Sequence, residues 1–431
     1  MKQNMLKSVA VLVAALAAAS CSDDDAATTQ SGTITIENVL DSKPLVESGT
    51  FKGTGTPPVI FPGQSVSISF SAAKNQRLTF ATMYGWSNDL FFAPENPGIK
   101  LYTDDGSPIT GDVSSQVKLW DNGTRVNQTP GAEVMHPGTA EAGAKNIKEV
   151  NGTDDYANTY LPASQLMKVS LDYKGNSTFT LTIMNNSGGT ENETPFSPGV
   201  WAISYVAGGN LLLPEPLYSN DKPSANGLTN IAEAGDNAAL SAYLTGITGT
   251  FTPLSPVLVV VYRGSENPFY KTGEKDGGMG LKDLAQKGNA DVLAAALKTA
   301  AGVKAVYVLK DMNNTVLLPK INGAAGGKVS QQLTVEKGDR IAVATMYGFS
   351  NDWFFATTGM DLDATQKGDV SSMIGLFDNG TAMNQYPGAG ITQFNLAGTP
   401  LAESKEIEAV PSMNEYTTLP STSSIIKVTL Q

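Results

Sequence analysis

The chain has 431 residues, one cysteine, one histidine and a formal net charge of −12. A single thiol rules out a disulfide framework, one thiol and one imidazole cannot build Cys/His zinc sites, and an acidic surface is repelled by nucleic acid and anionic lipid. About 400 residues are enough for two or three apolar cores.

The chain opens with a basic head, Met1 to Lys7, an apolar run from Val9, and small residues ending at Ser20. That pattern is an export signal, residues 1–20. The apolar run is about a dozen residues, short of the roughly 20 that span a bilayer, so it predicts a removed leader rather than a membrane helix. Cys21 directly follows Ala18-Ala19-Ser20, where a bacterial lipoprotein signal places the residue that carries lipid, although that pattern favours Leu where Ala18 stands. Plain secretion is the alternative. One acyl chain anchors weakly, so retention would use the further chains that bacterial lipoproteins acquire. Removing residues 1–20 deletes Lys2 and Lys7 and moves the formal charge from −12 to −14. Residues 21–31, with Ser22-Asp23-Asp24-Asp25 and a Ser/Thr-rich continuation, form an acidic tether too polar to pack. The triplet resembles a surface-export signal of lipoproteins in some Gram-negative bacteria; a solubilising linker is the plainer reading. The expected location is the cell envelope, lipid-anchored to the outer membrane and surface-exposed, with no membrane contact beyond the anchor.

Past the tether the chain repeats itself. Ala81-Thr82-Met83-Tyr84-Gly85-Trp86-Ser87-Asn88-Asp89-Leu90-Phe91-Phe92-Ala93 returns as 344–356 with two differences, Phe349 for Trp86 and Trp353 for Leu90. Gly111-Asp112-Val113-Ser114-Ser115, Leu119-Trp120-Asp121-Asn122-Gly123-Thr124 and Asn127-Gln128 recur as 368–372, Leu376-Phe377-Asp378-Asn379-Gly380-Thr381 and Asn384-Gln385. Each copy closes on an alternating strand, Met167–Leu171 and Ile426–Leu430, which places a boundary near Tyr173 and predicts domains 32–173 and 174–431. A second duplication lies between the copies: Thr194-Pro195-Phe196-Ser197-Pro198 opens residues 194–249, and Thr252-Pro253-Leu254-Ser255-Pro256 opens 252–303. Each ends in an Ala/Leu-rich run, 237–244 and 290–300, that favours helix. Elsewhere the ordered stretches alternate with period two, as in Thr33–Ile36, Ser65–Phe70 and Thr178–Ile183. The fold class expected is mostly β: two tandem antiparallel β-sandwich domains with short helical insertions in the second.

The Ser-Asn-Asp-(Leu/Trp)-Phe-Phe and (Trp/Phe)-Asp-Asn-Gly-Thr blocks resemble the spondin amino-terminal domain family, whose animal members read Ser-Pro-Asp-Trp-Phe and Asp-Ala-Gly-Thr-Asp. Residues 180–236 are similar to that family's opening strand, Ser-Pro segment and helix, so the resemblance covers almost everything after residue 32. It implies an eight-stranded, C2-like antiparallel sandwich and roles in extracellular adhesion and in carbohydrate or integrin recognition. It also implies calcium, held by the Asp of the first motif and two Asp of the second. The first two map to Asp89 and Asp121 in one copy and Asp352 and Asp378 in the other. The third position holds Arg125 and Ala382, so both copies depart from the pattern. Copy two is then the better metal candidate, since Arg125 could pair with Asp89 or Asp121 in place of the ion. Asn127 and Asn384 offer compensating amide oxygens.

Read from the residues alone, Asp121-Asn122-Gly123 and Asp378-Asn379-Gly380 are also turn sequences, with glycine at positive φ and Asp capping backbone amides. The aromatic pairs Phe91-Phe92 and Phe354-Phe355, with Met83-Tyr84 and Met346-Tyr347, read as core. A Ser-His-Asp site would have to use His136, which sits in a Met-His-Pro-Gly loop with no counterpart in copy two, and no phosphate-binding glycine loop is present. Two carboxylates suffice for glycoside hydrolysis, the remaining catalytic alternative. The expectation is a non-catalytic surface protein binding an extracellular protein or glycan, with calcium as the possible cofactor and no nucleic-acid partner; the alternative is an envelope spacer without a ligand.

Overall fold

The computed structural model describes residues 29–431 apart from Ala144, Asn313, Asn314, Met360, Asp361 and Ala397. The expected export signal, Cys21 and all but the last three residues of the 21–31 tether lie outside the described residues.

Alternating segments become antiparallel strands, and the molecule is mostly β. One four-stranded sheet has the order Ser65–Ser71, Thr178–Asn185, Met167–Gly175, Gly111–Asp112. It packs against a larger sheet ordered Leu45–Phe51, Gly199–Ser204, Arg77–Met83, Leu90–Pro94, Val117–Asp121, Lys148–Glu149. Phe70 stacks on Phe179 with centroids 5.8 Å apart and meets Trp201 of the facing sheet at 6.1 Å. The same arrangement then recurs. A second four-stranded sheet runs Lys328–Val335, Gln30–Asn38, Ile426–Leu430, Gly368–Asp369. Its larger companion runs Val303–Leu309, Val257–Tyr262, Arg340–Met346, Trp353–Thr357, Ile374–Asp378, Glu408–Ala409.

Each larger sheet is covered on its other face by two short helices. Leu228–Ala234 and Ala238–Gly246 pack Leu228, Ile231, Leu240 and Leu244 onto Met83, Phe91, Trp120 and Val200. Leu281–Lys287 and Asp291–Leu297 do the same with Leu258, Val260, Phe354 and Phe377. The expected helices 237–244 and 290–300 are the second of each pair. Burial on both faces explains why Val257-Leu258-Val259-Val260-Val261-Tyr262 is apolar without alternation. It also explains the adjacent aromatics: Phe91 and Phe354 face the helices, while Phe92 and Phe355 face the neighbouring sheet.

The strands do not divide at Tyr173. Met167–Gly175 and Thr178–Asn185 form a hairpin, so the expected boundary falls inside a single sheet. Strands 178–185 and 199–204, both from the expected second domain, lie in the interior of the first pair of sheets. In exchange, strand 30–38 from the expected first domain lies between 328–335 and 426–430 in the second pair. Two buried asparagines identify the exchange as like for like. Asn185, at the end of strand 178–185, donates its amide to the carbonyls of Ile60 and Thr194 at 2.8 and 2.7 Å. Asn38, at the end of strand 30–38, donates to those of Leu317 and Thr252 at 2.9 Å each. Each thus pins the opening threonine of one Thr-Pro-x-Ser-Pro segment, Asn38 across more than two hundred residues of chain. The duplicated segment now has a reason: each half of the molecule takes one.

The two repeated blocks also interlock. Met83 donates its backbone N–H to Ser197 Oγ at 3.0 Å and Gly85 donates to the Pro195 carbonyl at 2.9 Å. Met346 and Gly348 repeat this on Ser255 and Pro253, at 2.9 Å in both cases. The 175–178 turn itself docks onto the other half, where Ser177 Oγ accepts from Ile391 N at 2.8 Å and from Gln385 Nε2 at 3.1 Å.

Two outcomes follow for stability. Asn38→Ala and Asn185→Ala each strand two buried carbonyls and are expected to cost about 1–3 kcal/mol, read as a lowered urea midpoint. Fragments 32–173 and 174–431 expressed singly are expected to be insoluble but to co-purify when expressed together. A soluble, cooperatively melting 32–173 fragment would contradict the exchanged topology.

Candidate functional site

The strand register brings the four candidate aspartates together in pairs. Leu90 lies opposite Asp121 and Trp353 opposite Asp378 across antiparallel strands. Asp89 and Asp352, one residue earlier, therefore sit beside Asp121 and Asp378, and their carbonyls accept from Asn122 N and Asn379 N at 3.2 Å each.

The Asp-Asn-Gly turn is formed in both copies. Gly123 and Gly380 have φ of 72° and 66°. Asp121 Oδ1 accepts from Gly123 N at 2.7 Å, and Asp378 Oδ1 from Gly380 N at 2.8 Å. Glycine is needed for space as well, because a Cβ would stand 2.9 Å from the Lys145 carbonyl and 2.6 Å from that of Lys405. The turn is not a two-residue hairpin, since the chain rejoins the sheet only at 148–149 and 408–409.

The Ser-Asn-Asp motif clamps the loop beyond this turn. Asn88 Oδ1 accepts from Gln128 N at 2.8 Å, and Asn351 Oδ1 from Gln385 N at 3.0 Å. Asp89 Oδ2 takes three donors: Thr124 N, Thr124 Oγ1 and Arg125 N, at 2.7, 3.0 and 2.8 Å. Asp352 Oδ2 repeats this with Thr381 N, Thr381 Oγ1 and Ala382 N, at 2.6, 2.9 and 2.9 Å. Both aspartates are fully buried, and the Oδ1 of each has no hydrogen-bond partner among the described residues.

Other buried oxygens share that condition. Asn127 donates its amide to Asp121 Oδ2 at 2.8 Å, which turns its own Oδ1 away and leaves it without a donor. Asn384 makes the matching bond to Asp378. Asn122 Oδ1 and Asn379 Oδ1 are likewise without donors, and the Asn379 amide is directed to Asp276 Oδ2 at 2.8 Å. Buried acceptors are nearly always matched, so several together in one repeated loop call for an explanation.

Arg125 does not take the role expected of it. Its guanidinium pairs with Glu233 at 2.7 Å, and only its backbone N–H reaches Asp89. The Arg125 guanidinium is thus engaged by Glu233 and acts on Asp89 only through space. Among the described residues no cluster of three or more His, Cys, Asp and Glu side chains has metal-binding geometry. Each loop offers two carboxylates and amide oxygens, a donor set of low charge but of the hard-oxygen kind that calcium uses.

The electrostatics follow from burial. Asp121 is pushed up to about 7, first by loss of water and second by the neighbouring charge of Asp89. Asp352 is also pushed up to about 7, by burial and then by Asp378. Burial raises Asp89 as well, against the pull of its three donors.

Two cavities escaped sequence reasoning. One of about 920 Å³ is lined by Met83, Trp86, His136, Pro195, Pro198 and Gly235, with others. A smaller one of about 280 Å³ has the equivalent lining in the other half, including Met346, Pro253, Pro256 and Gly288. Their shared residues are the interlocked repeat blocks, so the repetition itself was the available signal.

No family model matches the chain, and no curated protein matches it.

The raised aspartates predict a pH dependence. In chelator the folded chain holds protons on Asp121 and Asp352 that the unfolded chain releases near pH 4, so stability is expected to fall as pH rises from about 4 to about 7. Asp352→Asn removes one of these groups and is expected to flatten the decline, measured as urea midpoint against pH.

Proposed function

We propose that the protein is a lipid-anchored envelope protein, exported by residues 1–20 and attached through Cys21, whose two spondin-like halves bind an extracellular protein or glycan without catalysis. Calcium braces the Asp89/Asp121 and Asp352/Asp378 loops. The observation that carries the cation is the set of buried oxygens without donors, Asp89 Oδ1, Asn122 Oδ1 and Asn127 Oδ1 in one half and Asp352 Oδ1 and Asn379 Oδ1 in the other. A bound divalent ion supplies the positive charge that would let both carboxylates of a pair ionise in a buried setting. Asp89, Asp121 and Asn127 would hold it in the first half, and Asp352, Asp378 and Asn379 in the second.

Binding is favoured over catalysis by the way the polar groups are used. Ser197 Oγ is engaged by Met83 N, and His136 is an exposed loop residue. The aspartates spend one oxygen each on holding backbone. A spacer role without ligand is the second reading, favoured by the three donors on Asp89 Oδ2 and Asp352 Oδ2, which already give these side chains a structural task.

Calorimetric titration of calcium into the protein separates the readings. Saturable binding is expected, with a dissociation constant on the order of 10⁻⁴ M as in extracellular modules. Asp352→Asn with Asp378→Asn is expected to remove one class of sites, and Asp89→Asn with Asp121→Asn the other. No binding by the unaltered protein would remove the calcium brace and favour the spacer or a metal-free binding protein.

A further inference from the structure

The second half rests on the first through the end that carries Phe349 and the 384–393 loop. Phe349 packs its ring against Tyr205 and Phe251, with centroids 6.0 and 5.5 Å apart. Gln385 Nε2 and Ile391 N both donate to Ser177 Oγ, and the Gly388 carbonyl accepts from Gln76 Nε2 at 2.8 Å. Tyr386 Oη reaches the Val46 carbonyl at 3.3 Å. Buried rings with directed bonds around them are what a specific protein–protein contact is made of, here within one chain.

The first half has the same end, and there it is open. Matched hydrogen bonds fix the equivalence. Gly131 N donates to the Trp86 carbonyl at 3.1 Å as Gly388 N does to that of Phe349 at 3.0 Å. Met135 N donates to Gln128 Oε1 at 3.1 Å as Thr392 N does to Gln385 Oε1 at 3.0 Å. Phe349, Gln385, Gly388 and Ala389 are buried, whereas Trp86 and Gly131 are half-buried and Gln128 and Ala132 are exposed. Trp86, Ala132 and Val134 line the cavity of about 920 Å³, while Phe349 and Ile391, the counterparts of Trp86 and Val134, are engaged by the first half. The amide nitrogen of Gln128 has no partner among the described residues, and Val134 N turns back on the Gly131 carbonyl at 3.1 Å. Met135 beside them is 66% exposed.

The filled end shows what chemistry suits the open one. Its occupant supplies an aromatic ring, Tyr205, and a hydroxyl acceptor, Ser177. A second copy cannot supply them, because its own Tyr205 and Ser177 are 3% and 0% exposed beneath its own second half. The start of the described chain does not obstruct the face. Gln30 pairs with Val335 at the Arg340 end of the second half, whereas Met346 marks the end that rests on the first. We propose that the open end of the first half docks a tyrosine-bearing segment of a partner protein, its ring against Trp86 at the cavity and a hydroxyl beside it accepting from Gln128 Nε2. The proposal rests on the binding reading above, narrows its partner to a protein, and places the contact on the first half alone.

The whole protein, in calcium and again in chelator, is titrated with N-acetyltyrosylserinamide, with N-acetylalanylserinamide and with methyl glucoside. The Trp86 indole N–H signal in a ¹⁵N-correlated spectrum, assigned by its loss in Trp86→Phe, reports on the open end. Phenylalanine already stands at the equivalent position of the second half, so that variant is expected to fold. The expected result is a saturable shift by the tyrosyl compound and roughly fivefold weaker binding of the alanyl one. Gln128→Ala, an exposed substitution, is expected to weaken the tyrosyl compound about fivefold at an unchanged melting temperature. No shift in either buffer overturns the proposal, as does an equal response to the alanyl compound or an unaltered affinity in Gln128→Ala. A shift by the glucoside alone makes the face a sugar site, and a shift on concentrating the protein alone makes it a self-contact; each overturns the proposal. Failure here leaves the calcium titration untouched, since that reads the aspartates, and a shift that persists where calcium fails to bind leaves a metal-free binding protein.

Discussion

The molecule depends on strand 30–38 lying between strands 328–335 and 426–430. Its buried Ile34 and Ile36 fill the space that Leu181 and Ile183 fill in the other half, and its terminal Asn38 holds the Thr252 carbonyl that starts the second Thr-Pro-x-Ser-Pro segment. Without this strand the second four-stranded sheet would have two edges in its middle, with backbone donors and acceptors open to any passing chain. The first half's strands and helices come from one contiguous stretch, Leu45 to Gly246, whereas the second half is complete only with strand 30–38, which precedes the first half in the chain. The first half therefore lies in sequence between two pieces of the second, and strand 30–38 ties the halves together.

The loops at the strand ends inherit their geometry from this framework. The Thr-Pro-x-Ser-Pro segments grip the Met83 and Met346 strand ends, and the Ser-Asn-Asp motifs that follow pull aspartate into the interior. One carboxylate oxygen is spent on three donors and the other is left with none. An arrangement that buries two carboxylates side by side is costly unless a proton or a cation offsets one charge. That tension is fullest in the first half, where Asp89 and Asp121 are both buried, and is present in the second between buried Asp352 and half-buried Asp378. The halves diverge just beyond it: where the first closes its polar groups on one another through Asp154 and Lys148, the second leaves Trp353 Nε1 and Asn414 Nδ2 buried without a partner among the described residues.

Much of this was legible in the residues. Period-two alternation located the strands at 33–36, 65–70 and 178–183, and the Ala/Leu-rich runs located one helix of each pair. The repeat blocks picked out Asp89, Asp121, Asp352 and Asp378 as two equivalent pairs, and the register places each pair together. Even the exchange left a trace, since Thr33-Ile34-Thr35-Ile36-Glu37-Asn38 echoes Thr180-Leu181-Thr182-Ile183-Met184-Asn185. The trace was too short to outweigh the assumption that a repeat pairs with its own neighbours. Arg125 was misjudged for a related reason: its partner Glu233 is more than a hundred residues away, in a helix beyond the expected boundary near Tyr173.

What composition, periodicity and duplication settle here is local: which segments are strands, which aspartates are equivalent, and which aromatics are core. Those properties depend on side-chain alternation and on neighbours a few residues apart, and the chain carries them directly. Which strand lies beside which, whom Arg125 pairs with, and which polar atoms end without a partner depend on contacts between segments one to three hundred residues apart. Strand pairing is encoded only as complementarity between faces, and two near-identical copies offer almost the same faces to each other. The placement of strand 30–38 in the second half is therefore decided in the folded state, where Asn38 is buried against Thr252 as Asn185 is against Thr194.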